Sequence, residues 1–116
     1  MSHSDSIAPL PGQREFEAGK YDRALPLLLP VAQDGHAEAQ CMIGCIYQLG
    51  LGSAAPDFHE AIAWYRRAAA LGYGVASNNL AGMYLSGSGV PVDRDRARQL
   101  YEQARSQGFI GGIIDD

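Results

Sequence analysis

Two stretches of this chain are near copies of each other. Ala39-x-x-x-Ile43-Gly44-x-x-Tyr47-x-x-Gly50-x-Gly52 returns, 37 residues on, as Ala76-x-x-x-Leu80-Ala81-x-x-Tyr84-x-x-Gly87-x-Gly89. Asp57-x-x-x-Ala61-x-x-x-Tyr65-x-x-Ala68-x-x-x-Gly72 returns 36 residues on, as Asp93-x-x-x-Ala97-x-x-x-Tyr101-x-x-Ala104-x-x-x-Gly108. The shift drops by one because four residues separate Gly52 from Asp57 and three separate Gly89 from Asp93. A period of this length marks stacked helical hairpins, each unable to bury its apolar face alone.

Within each copy the apolar residues fall at helical spacing. Ala39, Ile43, Gly44 and Tyr47 share one helix face. Gly50 and Gly52 stop that helix. Asp57 is placed to cap the next one, with Glu60 at capping-box distance. Ala61, Trp64, Tyr65, Ala68 and Leu71 then make a buried stripe ending at Gly72. The later copy repeats the scheme through Ala76, Leu80, Ala81 and Tyr84, then Ala97, Leu100, Tyr101 and Ala104. Small residues let the helices approach, and the aromatic side chains fill between them.

A weaker copy precedes these. Tyr21, Asp22, Ala24, Leu28, Val31 and Gly35 stand 37 residues before Phe58, His59, Ala61, Tyr65, Ala68 and Gly72. Its connecting loop is missing, since Gly19 and Lys20 lead straight to Tyr21. Pro30 falls inside its second helix and predicts a bend there. The division that follows is a flexible arm over 1–9, a degenerate first pair over 10–35, repeats over 36–72 and 73–108, and a tail over 109–116. Ile110, Ile113 and Ile114 in that tail fit two readings: a cap on the open end of the last hairpin, or a sticky edge that joins two copies. The fold expected is all-α, an αα-hairpin solenoid of three helical pairs in a right-handed superhelix.

Composition narrows the function classes. The net charge of −4 argues against nucleic acid, which asks for a basic stripe. Six of the nine basic residues, Arg66, Arg67, Arg94, Arg96, Arg98 and Arg105, lie in the second half, where they read as solvated helix faces. The opening residues have neither a basic nor an apolar leader region, and no apolar run approaches the roughly 20 residues of a membrane helix. A cytoplasmic protein without membrane contact is therefore expected.

No chemistry-bearing constellation emerges. Cys41 and Cys45 lie four apart on one helix, without the further ligands a metal site wants, and a disulfide within one helical turn has poor geometry. As nucleophiles they would need a fixed base, and His36 and His59 are the only nearby candidates. Gly87 and Gly89 lack the Lys-Ser/Thr of a phosphate loop, and their twins at Gly50 and Gly52 show them to be repeat punctuation. Trp64 and Tyr65 occupy core positions rather than a stacking platform. No enzyme, metal or cofactor is expected.

The repeated pattern, with Trp64, Ala69 and the loop residues Val90 and Pro91 added, resembles the Sel-one-like repeat, a subgroup of the tetratricopeptide-like helical repeats. The resemblance covers about residues 37–108, and residues 13–35 look like the shortened pair that often opens such arrays. It implies an αα superhelix and an adaptor or scaffold role; many members are bacterial. It also implies that the first helix of each pair lines a concave side. The face left free there carries Cys41, Met42, Cys45, Ile46 and Gln48 in one repeat and Asn78, Asn79, Gly82, Met83 and Leu85 in the next. Those residues suit an apolar or helical peptide, with Asn78 and Asn79 clamping its backbone; the competing reading is that Met42, Ile46 and Met83 pack against the neighbouring hairpin. The expected partner is another protein or peptide. The alternatives are a thiol-based redox or enzymatic protein built on Cys41 and Cys45, and a homodimer formed through Phe109–Ile114.

Overall fold

The computed structural model describes residues 10–109, which form six helices and, among the described residues, no strand. They are α1 (Gln13–Glu17), α2 (Tyr21–Gln33), α3 (Ala37–Leu49), α4 (Phe58–Ala70), α5 (Gly74–Ser86) and α6 (Arg94–Ser106). Each packs on its neighbours in chain order, so three antiparallel hairpins stack as α1–α2, α3–α4 and α5–α6. The arm over 1–9 and Ile110, Ile113 and Ile114 lie outside the described residues.

Two joints recur, and the repeated residues make both. After the second helix of each pair the chain turns on Gly35, Gly72 or Gly108, at φ +102°, +91° and +99°. Only glycine takes that left-handed backbone without strain. At each turn the next residue donates back into the helix: His36 N–H to Val31 O at 3.1 Å, Tyr73 to Ala68 at 3.1 Å, Phe109 to Ala104 at 2.9 Å. The glycine N–H groups donate to Ala32, Ala69 and Arg105, completing a Schellman motif in all three places.

The second joint links the helices within a repeat. Asp57 Oδ1 accepts from Glu60 N–H at 3.1 Å, and Asp93 Oδ1 from Arg96 N–H at 2.9 Å. The aspartate amides donate to Tyr47 O at 2.8 Å and Tyr84 O at 3.0 Å. The return arm of the expected capping box is therefore not made. Asp57 N–H is already engaged, and Glu60 Oε1 accepts instead from Trp64 Nε1 at 3.2 Å.

The core follows the predicted stripes with one correction. Ala24, Leu28, Ala39, Ile43 and Trp64 gather between the first two hairpins; Ala61, Tyr65, Ala68, Ala76, Leu80 and Leu100 gather between the second and third. Leu71, placed in the stripe by its spacing, is 57% exposed, because α4 ends at Ala70 and Leu71 is already its C-cap. Through the position where a bend is expected, Pro30, α2 runs as one helix from Tyr21 to Gln33, with Pro26 and Pro30 both exposed. The nitrogen of Pro30 has no hydrogen to donate, so the Pro26 carbonyl lacks its helical partner, on a side of the helix open to solvent.

A polar seam between the first helices of the two repeats

Helix α4 backs α3, and its Tyr65 is fully buried at their crossing. The Tyr65 hydroxyl emerges beside α3 and donates to Gln48 Oε1 at 2.7 Å, sharing its proton with Cys45 Sγ at 3.3 Å. From α5, Asn79 Nδ2 reaches toward Cys41 Sγ at 3.8 Å and Cys45 Sγ at 3.9 Å. Gln48, Cys41, Cys45, Tyr65 and Asn79 thus form one polar seam where the first helices of the two repeats lie side by side. Register explains it: Cys41, Cys45 and Gln48 follow at i, i+4 and i+7 on α3, and Asn79 is on the flank of α5 that faces them.

The seam perturbs its own ionisations. Both cysteines are free thiols. Cys41 is pushed well above the ordinary thiol value, first by donating to Cys45, then by burial. Cys45 is pulled below it, first by accepting from Cys41 and further by the Tyr65 hydroxyl, while burial opposes. Burial also raises the Tyr65 phenol, with the nearby sulfurs adding to the effect. Tyr73 at the start of α5 is raised by burial and then by Glu38.

The ten residues expected on the binding face divide by burial. Cys41, Ile46 and Met83 are 4%, 1% and 0% exposed, so they belong to the packing and offer a partner almost nothing. For Ile46 and Met83 this is the packing alternative. Met42, Cys45, Gln48, Asn78, Asn79 and Gly82 are half-buried, and Leu85 is exposed. Asn79 uses its Nδ2 within the seam, and Asn78 turns its Oδ1 inward, where no described residue bonds it. The position a Cβ would take on Gly82 has no atom within 4 Å, so the middle of α5 is open there.

His36 and His59 do not approach the thiols as bases. His36 is the N-cap of α3, its Nδ1 accepting from Ala39 N–H at 3.4 Å, and His59 is exposed in the first turn of α4. Among the described residues no three His, Cys, Asp or Glu side chains gather in metal-binding reach, and no helix is long and apolar enough to cross a membrane.

Two features escaped the sequence reading. Asp22 on α2 accepts from both Ser53 N–H (2.8 Å) and Ser53 Oγ (2.6 Å), fastening the α3–α4 loop to the first hairpin. The last helix carries a groove of about 400 Å³ lined by Leu85, Arg94, Ala97, Arg98, Tyr101, Glu102 and Arg105. Aligning α6 on α4 would have revealed the second. Nothing in the spacing announces the first.

Three stacked αα-hairpins that share one glycine turn, two of them also sharing an aspartate-capped loop, define a helical-repeat solenoid of the tetratricopeptide-like kind. The Sel1 repeat model matches residues 37–73 and 74–109, and the chain belongs to that family. A Sel1 repeat protein from Oxalobacter formigenes superposes with a TM-score of 0.77 at 31% identity, over 83% of this chain and 39% of that one. A protective antigen present in uropathogenic Escherichia coli strains, displaying an SLR fold, gives 0.72 at 31% identity, over 77% of this chain and 19% of its own. In sequence, Chitin synthase regulatory factor 3 of Schizosaccharomyces pombe is 40% identical over 67 residues, which are 58% of this chain and 7% of that protein. The chain therefore spans well under half of each of these relatives. Sel1 repeat proteins are generally non-catalytic scaffolds that mediate protein–protein interactions.

Proposed function

We propose that this chain is an interaction module that receives a peptide segment of a partner protein along the α3–α5 face. Met42, Cys45, Gln48, Asn78, Asn79, Gly82 and Leu85 border that segment. Gly82 is the observation that carries the reading. A glycine inside a helix costs roughly 1 kcal/mol against alanine. Most interior glycines of this kind are explained by a close crossing, yet nothing stands near Gly82. What its missing side chain provides is a low, open strip of α5 beside the exposed Leu85, where another backbone can lie close. The regulatory role in the name of the fission-yeast relative favours the same class of function, since a regulator acts through contacts with other proteins.

The thiol reading has less support. Tyr65 and Asn79 are the residues bonded to the two sulfurs, and a phenol raised by burial is no base near neutral pH. The self-association reading rests on Phe109–Ile114, of which Phe109 alone is among the described residues.

Affinity capture from the native cell with the unaltered chain and with Gly82→Trp tests the proposal. A partner held by the first and lost by the second, with the helical content of the two equal, supports the face. Equal capture by both moves the binding surface elsewhere.

A further inference from the structure

Positions 36 apart compare α6 with α4. Where α4 has Phe58, Ile62 and Ala69, α6 has Arg94, Arg98 and Arg105. On α4 this is the face that receives the next hairpin. Ile62 and Ala69 are buried against α5, and a Cβ on Gly89 of the α5–α6 loop would stand 2.6 Å from Phe58 Cβ. Tyr65 in the middle of that face is fully covered. On α6 the counterpart Tyr101 is only half-buried, Leu85 beside it is 41% exposed, and the three arginines are exposed. The floor of the joint is kept while its rim has changed from apolar to cationic.

The turn at Gly108 and Phe109 repeats the one at Gly72 and Tyr73 in both its glycine φ and its two backbone hydrogen bonds. That earlier turn sends α5 back across α4. The seven residues 110–116 span at most about 24 Å, and Arg94 lies roughly 17 Å along the α6 axis from Arg105. They hold Ile110, Ile113 and Ile114 for the apolar floor, and Asp115 and Asp116 for the rim. The rim is short of acid: Glu102 is its own carboxylate, and the Asp95–Arg98 pair at 3.3 Å is exposed at both ends and weak.

We infer that the outer face of α6 is a binding site for residues 110–116 of the same chain, the isoleucines covering Tyr101 and Leu85 and the two aspartates pairing with Arg94, Arg98 and Arg105. Such a contact closes the last hairpin with a charged seal in place of a further apolar hairpin. It is a different surface from the α3–α5 face.

Hydrogen–deuterium exchange of the full chain decides the matter. At low salt, amides 110–116 exchange at least tenfold slower than an unstructured peptide of the same sequence, independently of protein concentration. Asp115→Asn with Asp116→Asn, and separately Arg98→Ala with Arg105→Ala, return them to the unstructured rate while exchange within α5 and α6 stays as before. Unprotected amides in the unaltered chain overturn the inference. So does protection that grows with concentration, which assigns the face to a second copy, and so does protection indifferent to the arginines.

Discussion

The ring of Tyr65 occupies the space that a side chain on Gly44 would need. A Cβ at Gly44 would lie 2.6 Å from Tyr65 Cε1 and 2.7 Å from Cδ1, so α3 and α4 cross at this distance only because position 44 has no side chain. The later repeat has Ala81 at the matching place, where its partner Tyr101 is half-exposed. Tyr65 is fully buried and fixed by its hydroxyl. Gly44→Ala, a favourable change by helix propensity, is therefore destabilising by about 1–3 kcal/mol. Urea unfolding measures it; a gain in stability would mean that the crossing tolerates a methyl group.

Gly82→Ala goes the other way. With nothing within 4 Å of the new Cβ, the substitution stabilises the chain by roughly 0.5–1 kcal/mol. A rise in the urea midpoint with unchanged slope is expected, and a fall would show that the strip is packed.

The two thiols, one helical turn apart, are expected to differ widely in reactivity. Thiolate is the attacking form. The Cys45 thiol is lowered by the donors around it and the Cys41 thiol is raised, so Cys45 is alkylated first and at a lower pH than an ordinary cysteine. Tyr65→Phe removes one donor and moves the Cys45 profile to higher pH. Mass spectrometry of iodoacetamide-treated protein across pH 6–9 reads both sites, and equal labelling of the two would contradict the seam.

The loop between α3 and α4 is held by Asp22, whose carboxyl is lowered first by the Ser53 hydroxyl and then by the Ser53 amide. A lowered carboxyl stabilises above its unfolded value, near 3.8, and the contribution fades as pH falls through the folded value. The Ser53 amide is thus protected at neutral pH and loosens in acid. Asp22→Asn weakens that protection at neutral pH and flattens its dependence on acid. Amide exchange at Ser53 followed from pH 5 down to 2 reads this, and a loop insensitive to pH and to Asp22→Asn would contradict it.

Repetition made most of the fold legible. Residues that matched between copies, such as Asp57 with Asp93 and Ala61 with Ala97, became the same caps and core contacts. Periodicity was less informative about faces. A solenoid helix touches neighbours on several sides, so one stripe cannot say that Ile46 and Met83 are as buried as Ile43 and Leu80. Leu71 kept the spacing of a core residue one position past the end of its helix. The arginines of α6 looked like ordinary surface until set against Phe58, Ile62 and Ala69. Asp22 and Ser53, 31 residues apart, meet through tertiary geometry that no local pattern encodes.

The arginine rim also governs how this array can lengthen. A tandem duplication of residues 37–72 inserted after Gly72 would set an α4-like apolar face under every incoming first helix and reuse the same glycine turn. Duplicating 73–108 would instead press Arg94, Arg98 and Arg105 beneath a new helix, where unpaired charge is costly. A hairpin of the same kind is more readily added within the stack than onto α6, so a change in three side chains distinguishes a repeat that accepts such a neighbour from one that resists it.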